Sequence, residues 1–141
     1  MHILMCNDDG ILADGLRHLA SYLSQYYRIT VVAPANEQSA KSHALTTEVP
    51  LKLDACNGED ENPRLYALTG TPSDCMKFGL SYLLTDDMPD LVISGINNGF
   101  NLGSDVLYSG TVSAAMESGF YGIPGLALSV ERYSVERGDE M

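Results

Sequence analysis

Two adjacent carboxylates follow the first apolar segment of the chain. The sequence begins MHILMC and continues with Asn7, Asp8, Asp9 and Gly10. Because neighbouring residues of a strand point to opposite faces, Asp8 and Asp9 can face one ligand only where the backbone turns, and Gly10 makes a turn easy. Two ionised carboxylates this close repel each other, and a hard divalent ion such as Mg²⁺ or Mn²⁺ would relieve the repulsion. Taken alone, NDDG is equally typical of a polar turn.

A second stretch, YSGTVSAAMESG, places a predicted helix directly after Ser109, Gly110 and Thr111. The free N–H groups of a first helical turn, the positive end of the helix dipole and two hydroxyls can together bind phosphate oxygens. The chain has no Gly-Lys-Ser/Thr of a Walker A loop, and no GxGxxG after its first strand. ATP-binding and dinucleotide-binding folds are therefore not favoured. A plain helix cap at Ser109 is the simpler alternative.

Further oxygen donors lie in two other loops. Ser39 belongs to the loop APANEQSAKSH, and the segment SGINNGFNLG at 94–103 is rich in asparagine and glycine. Hydroxyl and amide oxygens can complete the shell of a hard cation, although a loop-stabilising hydroxyl is the simpler role for Ser39. The three histidines, at positions 2, 18 and 43, lack the spacing of a zinc site.

The elements that must position these loops follow from hydrophobic periodicity. Strands are predicted at 2–6, 28–33, 49–53, 64–68, 90–94 and 126–130, and helices at 13–27, 72–84 and 109–120. Thr71 is expected to cap the second helix, with Pro72 at its first position. This alternation predicts an α/β domain whose mainly parallel sheet has helices on both faces. Since ligands bind outside the carboxyl ends of such strands, the three loops are expected to form one site.

The composition limits the class of protein. A chain of 141 residues with 45% hydrophobic residues has the size of one domain with a sizeable core. Its net charge of -11 argues against nucleic-acid polymers and anionic membranes as partners. Three cysteines without a C-x-x-C pair indicate neither a disulfide framework nor a zinc ribbon. With no predicted leader or membrane span, a cytoplasmic location is expected.

Two other classes of function are compatible with parts of the pattern. A phosphoacceptor receiver domain also has paired acids after its first strand, and Asp54 is the candidate for its phosphorylated aspartate. The loop at 95–103 and the lack of a lysine at the end of the last strand argue against this class. A nonenzymatic nucleotide-binding subunit is the third possibility.

Five segments together resemble the SurE (survival protein E) family of metal-dependent 5′-nucleotidases. They are NDDG at 7–10, APANEQSAKSHALT at 33–46, LTGTPSDC at 68–75, SGINNGFNLG at 94–103 and YSGTVSAAMESG at 108–119. The matches occur in order and extend over nearly the whole chain. The resemblance implies a Rossmann-like three-layer fold and a phosphohydrolase that acts on nucleoside 5′-monophosphates. It also implies that some members cleave 3′-nucleotides, other phosphate esters or short polyphosphate.

The resemblance also implies roles for particular residues. The ligands of one divalent ion, Mg²⁺ or Mn²⁺, would be Asp8, Asp9, Ser39 and Asn97, and the two aspartates would also be catalytic. Phosphate binding would involve Ser109, Gly110 and Thr111, together with Asn97 and Asn101.

Two departures from the family pattern are visible. The second loop has Ala40 where the family often has glycine after Gln-Ser. Family members also usually continue well beyond the strand at 126–130, into a portion that helps to form dimers or tetramers. The sequence therefore predicts a single SurE-like core over residues 1–141 without that portion, and a homodimer or homotetramer where the portion is present.

Overall fold

The computed structural model of the protein describes residues 1–37 and 44–131. Its strands are β1 (His2–Cys6), β2 (Arg28–Pro34), β3 (Leu53–Ala55), β4 (Arg64–Leu68), β5 (Leu91–Asn98) and β6 (Gly125–Val130). They form one sheet in the order β3-β4-β2-β1-β5-β6. All neighbouring strands are parallel except β3 and β4, which are antiparallel.

Three α-helices connect the parallel strands. They are α1 (Asp14–Leu23), α2 (Pro72–Phe78) and α3 (Gly110–Glu117). A π-helical turn, Gly79–Leu83, continues α2, and 3-10 turns span Gly103–Tyr108 and Ser118–Tyr121. None of the helices within the described residues is long and apolar enough to cross a membrane.

The core has two halves, one on each face of the sheet. Successive residues of β1 belong alternately to the two halves. Ile3 and Met5 pack with Leu16 of α1, whereas Leu4 and Cys6 pack with Met76 of α2. Ala114 of α3 belongs to the same half as α2. Because both faces are covered, the central strands are almost continuously apolar. The predicted α/β fold, with a mainly parallel sheet between two helical layers, is confirmed.

Two strand predictions were inaccurate. The predicted strand at 49–53 shares only Leu53 with β3, because Pro50 has no N–H for a ladder and Val49 is exposed. β5 continues to Asn98, where a loop was predicted from residue 95, and it pairs with β6 beyond a register shift between Ser94 and Asn97. Asn97 therefore lies on a strand, where the sheet fixes its backbone.

The helices are shorter than their apolar patterns predicted. α1 ends at Leu23, and the side-chain amide of Asn62 donates to the carbonyl oxygens of Ser24 and Tyr27 just beyond it, at 3.0 Å each. α3 ends at Glu117 and tightens into a 3-10 turn. An amide from a distant loop can satisfy carbonyl groups beyond a helix end, and hydrophobic periodicity does not report such contacts.

The start of α2 confirms the predicted cap and adds to it. Thr71 accepts a hydrogen bond from the N–H of Asp74, and the Asp74 carboxylate accepts one from the N–H of Thr71, which together form a capping box. Asp74 also accepts from the N–H and the hydroxyl of Thr46, at 2.9 and 2.6 Å. The buried Asp74 carboxylate thus ties the segment after residue 43 to α2.

This carboxylate predicts a pH-dependent stability. Burial by itself raises the pKa of Asp74, but the hydrogen bonds from Thr46 and Thr71 outweigh burial, and the pKa is lowered. A lowered folded-state pKa stabilises the protein above the unfolded-state pKa of about 4, and the stabilisation is lost as pH falls through the folded value. Thr46→Val should therefore lower the free energy of unfolding by about 1 to 2 kcal/mol at pH 7.

Urea unfolding of the wild type and Thr46→Val from pH 7 down to pH 3 measures this effect. The difference between the two proteins should shrink below about pH 4, where Asp74 becomes protonated. Thr47→Val, which changes an exposed neighbour, is the control and should alter stability little. A difference that is the same at every pH would contradict the role assigned to the Asp74 carboxylate.

Candidate metal and phosphate site

The candidate site lies at the carboxyl ends of β1 and β5, where the strand order of the sheet reverses. The chain adds β2 on one side of β1 and later returns to add β5 on the other side. The register pairs Cys6 with Ser94, so the residues that follow β1 lie beside the last residues of β5. In open α/β sheets, ligands bind at such a switch point, outside the carboxyl ends of the strands.

Asn7 closes the turn that carries the two carboxylates. Its side-chain amide donates to the carbonyl oxygen of Gly10 at 2.9 Å, and its Oδ1 accepts from the N–H of Gly10 at 3.1 Å. Gly10 has a φ of 103°, a conformation that favours glycine. Asn7 is fully buried, so this double hydrogen bond is shielded from water. The turn places Asp8 and Asp9 beside different neighbours at the carboxyl end of β1.

Asp8 contacts the start of α3. Its Oδ1 accepts a hydrogen bond from the Thr111 hydroxyl at 3.1 Å, and only 7% of Asp8 is exposed. A Cβ added at Gly110 would lie 2.9 Å from the Asp8 Cβ and 3.1 Å from the Pro72 Cγ. Glycine is therefore required for this close approach, and of the two carboxylates Asp8 is the one that meets the Ser109 segment.

Asp9 lies on the other side of the turn and is half-buried. Its carboxylate accepts a hydrogen bond from the backbone N–H of Asn98, at the end of β5. Asp9 also borders a cleft of about 880 Å³. It is therefore the more accessible of the two carboxylates.

The pKa values of both carboxylates are raised above the ordinary value for aspartate. Burial raises the pKa of Asp8, and the hydrogen bond from Thr111 offsets part of the increase. Burial also raises the pKa of Asp9, and the neighbouring charge of Asp8 adds to it. The charge of Glu37 raises both values. A divalent cation bound between Asp8 and Asp9 would relieve this repulsion.

The donor chemistry fits a hard cation. Asn97 donates its Nδ2 hydrogen to the carbonyl oxygen of Gly99 at 2.8 Å, so Oδ1 is the amide atom available as a ligand. Across residues 1–37 and 44–131, no group of three His, Cys, Asp or Glu side chains is arranged to hold a metal ion. A cation at Asp8 and Asp9 would therefore be completed by amide, hydroxyl and water oxygens, which Mg²⁺ and Mn²⁺ accept and zinc sites rarely use.

The remaining predicted site residues are placed as follows. Ser109 is the N-cap of α3, and its Oγ accepts from the N–H of Val112 at 3.1 Å, which leaves the hydroxyl hydrogen as a donor. Asn101 donates to the Ser129 hydroxyl at 2.7 Å, so it contacts β6. Ser39 lies outside the described residues.

Thr111 is fully buried and bonded to Asp8, which favours a role in holding that carboxylate. Thr111→Val keeps the shape of the side chain and removes the hydrogen bond. Since a hydrogen bond to a charged group contributes about 1.5 to 3 kcal/mol, we expect the rate of any reaction that depends on the Asp8 carboxylate to fall about tenfold or more. Thr111→Ser, which retains the hydroxyl, should recover most of that loss. Equal activity of the valine and serine variants would contradict this role.

Sequence reasoning assigned no role to three features of this site. Asn7 closes the turn, and the spacing Asn-x-x-Gly was the available signal because asparagine often bonds to nearby backbone. Pro72 packs against Gly110, a contact that only tertiary structure creates. The cleft beside Asp9 is lined by residues that are separated in sequence and gave no pattern.

Asp54 is not placed as a receiver domain would require. It lies on the antiparallel edge strand β3, opposite Ala67, and its carboxylate is 3.6 Å from the ammonium of Lys52. The phosphoacceptor alternative therefore has no support in the fold.

Comparison with known proteins identifies the family of the chain. The family model "Survival protein SurE" matches residues 3–140. The protein named 5′-nucleotidase SurE from Thermoanaerobacter sp. (strain X514) is 54% identical over 129 residues, which are 92% of this chain and 50% of that protein. The protein of the same name from Thermosipho africanus (strain TCF52B) is 52% identical over 139 residues, or 96% of this chain and 52% of that protein.

A solved structure is similar as well. The crystal structure of SurE protein from Aquifex aeolicus superposes with a TM-score of 0.79 at 43% identity, and the match covers 92% of this chain and 50% of that one. The chain thus spans about half the length of the relatives it matches. The match of fold and sequence shows that the chain belongs to the SurE family.

Proposed function

We propose that this protein is a metal-dependent phosphohydrolase that removes the phosphate of nucleoside 5′-monophosphates. The observation that carries the proposal is the contact of Asp8 with Gly110 and Thr111, which joins a carboxylate pair to a helix N-terminus. Relatives named 5′-nucleotidase SurE, about half of whose sequence this chain matches, support the substrate class. The wider range implied by the resemblance, 3′-nucleotides and short polyphosphate, is a secondary part of the proposal.

One group of residues would bind the cation, and another group would bind the phosphate. Asp8, Asp9, Asn97 and Ser39 would hold Mg²⁺ or Mn²⁺. When bound, such an ion supplies Lewis-acid polarisation of a phosphoryl oxygen and a lowered pKa of bound water. The first N–H groups of α3 and the hydroxyl of Ser109 would donate to the phosphate oxygens, which carry the negative charge of the transferred group.

The Asp9 carboxylate would also orient the attacking water molecule. Asp9 borders the open cleft, so its carboxylate can accept a hydrogen bond from a water molecule placed opposite the ester oxygen. The oxygen of that water forms the new bond to phosphorus, and the bond from phosphorus to the ester oxygen breaks. Of the two protons of that water, one ends on the ester oxygen and the other stays on the new phosphate oxygen, so that the nucleoside and inorganic phosphate are the products.

The assembly and location belong to the same proposal. We infer a single core over residues 1–141, and a homodimer or homotetramer for the full-length protein. Relatives of about twice the matched length support a further portion beyond this core in the family. The three cysteines are free, with Cys6 and Cys75 buried, which supports a reducing cytoplasm. The net charge of -11 supports a small-molecule substrate in place of a nucleic-acid polymer.

A phosphate-release assay tests the proposed function. The protein is incubated with nucleoside 5′-monophosphates, nucleoside 3′-monophosphates and p-nitrophenyl phosphate, with Mg²⁺, with Mn²⁺ or with EDTA. Release that requires metal is the expected result. Mn²⁺ binding, measured by isothermal titration calorimetry, provides a readout independent of turnover. Binding of nucleotide without release in any metal would favour a nonenzymatic subunit, and the absence of both Mn²⁺ binding and release would contradict the site itself.

A further inference from the structure

β5 contains one residue more than the part of β6 with which it pairs. Three steps along residues 94–97 of β5 match two steps along residues 127–129 of β6. The extra residue falls at Gly95 and Ile96, which lie opposite Leu128. An insertion of this kind is a β-bulge, and bulges are common beside functional sites, where they redirect a side chain.

Gly95 permits the bulge because it has no side chain. Its φ is 131°, a conformation that favours glycine. A Cβ added at Gly95 would collide with the carbonyl oxygen of Leu128 and would lie 3.2 Å from the Leu128 Cβ. Because the nearest atom belongs to the backbone, rotating a side chain cannot relieve this contact. Any other residue at position 95 must therefore separate the two strands or remove the bulge.

The two faces of β5 are defined by the residues before the bulge. Val92 belongs to the half of the core that contains α2 and α3, and Ile93 belongs to the half that contains α1. Because side chains alternate along a strand, Ser94 lies on the same face as Val92. Val92 pairs with Gly125, where an added Cβ would meet the carbonyl oxygen of Ala115 in α3. We call the face of Val92 and Ser94 the α3 face, and the opposite face the α1 face.

The bulge decides on which face each later residue lies. The β6 partners of Ser94 and Asn97 are two residues apart, so both side chains lie on the α3 face. Ile96 lies on the α1 face, since a Cβ added at Gly15 of α1 would be 3.5 Å from the Ile96 Cβ. Without the extra residue, alternation from Ser94 would place Ile96 on the α3 face and Asn97 on the α1 face.

This choice of face matters for the two carboxylates. The α3 face is the side on which Asp8 contacts the start of α3, and Asn97 lies on that face. Asn98 lies on the α1 face, where it borders the cleft beside Asp9. The bulge therefore places one asparagine on the side of each carboxylate.

We propose that Gly95 is a positioning residue of the candidate site, because the bulge that it permits places Asn97, in place of Ile96, on the α3 face. The proposal rests on the proposed function, since it takes Asn97 as a ligand of the cation through Oδ1. Gly95 acts through the position of Asn97. Its replacement should therefore weaken cation binding only while Asn97 is present.

A double-mutant cycle in Mn²⁺ affinity tests this coupling, with Mn²⁺ alone titrated into the protein by isothermal titration calorimetry. Asn97→Ala and Gly95→Ala should each weaken Mn²⁺ binding about tenfold. Gly95→Ala introduced into Asn97→Ala should weaken it less than about twofold further, because changes that act through one contact are not additive. A glycine that merely stabilised the fold would cause the same loss in both backgrounds.

Gly122→Ala is the matched control for the conformation of the glycine. Gly122 has a φ of 70°, and a Cβ added there would meet no atom of the described residues within 4 Å. The variant therefore adds a side chain at positive φ without a collision. It should leave Mn²⁺ affinity unchanged.

A second variant keeps Gly95 and moves the asparagine instead. Ile96→Asn combined with Asn97→Ala places the amide one residue earlier, where the bulge directs it to the α1 face. This double variant should bind Mn²⁺ as weakly as Asn97→Ala alone. It leaves position 95 unchanged, so it tests the proposal even where Gly95→Ala does not fold.

The outcomes separate this inference from the proposed function. If Asn97→Ala binds Mn²⁺ as the wild type does, Asn97 is not a ligand, and the proposal for Gly95 falls with that assignment. If Asn97→Ala weakens binding but Gly95→Ala has no effect or an equal effect in both backgrounds, the cation site stands and the role of Gly95 is wrong. Recovery of Mn²⁺ binding through Ile96→Asn would likewise overturn the role of the bulge.

Discussion

Replacing Asp9 by Asn is expected to lower kcat for metal-dependent phosphate release by at least about 100-fold, or about 2.7 kcal/mol of activation free energy. The change removes one negative charge from the pair and keeps the shape of the side chain. It would weaken the hold on the cation and the orientation of the attacking water at once. Asp8→Asn should cause a loss of similar size, because Asp8 is the other carboxylate proposed to hold the cation and also contacts the start of α3.

Steady-state kinetics with a nucleoside 5′-monophosphate and Mn²⁺ measure this loss, and calorimetry measures Mn²⁺ affinity in parallel. Asp86→Asn, which removes an exposed carboxylate at the amino end of β5, is the control for net charge. Both aspartate variants should unfold at urea concentrations no lower than the wild type does, because each removes a carboxylate that is partly buried beside another. Wild-type turnover in Asp9→Asn would contradict the assignment of the site.

Gly110→Ala is expected to have the second largest effect on activity. The added methyl group would lie 2.9 Å from the Asp8 Cβ and 3.1 Å from the Pro72 Cγ, so either Asp8 or the start of α3 must move. A displacement of about 1 Å at reacting groups can lower a rate about 100-fold. We therefore expect kcat to fall between about tenfold and 100-fold while the protein remains folded, since alanine itself is a better helix residue than glycine.

Gly119→Ala is the matched control for this prediction. Gly119 lies in the 3-10 turn after α3, and a Cβ there would meet no atom of the described residues within 4 Å. This variant should keep wild-type kcat and stability, and both variants can be compared by kinetics and urea unfolding. If Gly110→Ala kept full activity, the contact between α3 and Asp8 would not be needed for catalysis.

The sequence by itself determined the class of fold and most of its elements. The apolar runs that became β1, β2, β4 and β5 predicted the parallel sheet, because strands covered on both faces must be apolar throughout. Thr71 and Pro72 located the start of α2 because capping depends on residues that are local in sequence. The five segments from NDDG to YSGTVSAAMESG together carried the resemblance to the SurE family, which the comparisons confirm.

Tertiary structure decided the features that depend on residues far apart in the chain. Asn97 was expected in a loop, but β5 extends to Asn98 because β6 pairs with it after a register shift. The weak local pattern of residues 95–98 could not show this, since a strand without apolar alternation is held by its neighbour's hydrogen bonds. The predicted strand at 49–53 failed for the converse reason, because within the described part of the chain only Leu53 of that segment is paired in the sheet, with Leu68 of β4.

The geometry of the site likewise required three dimensions. The sequence showed two carboxylates and a helix start 100 residues apart, and only their contact through Thr111 and Gly110 makes them one site. The different neighbours of Asp8 and Asp9, and the cleft on the Asp9 side, arise from the turn that Asn7 closes and from the packing of α1 against β5. Residue types determine which chemistry is available, whereas distances and burial, which depend on the packing of the whole chain, determine which of those residues act together.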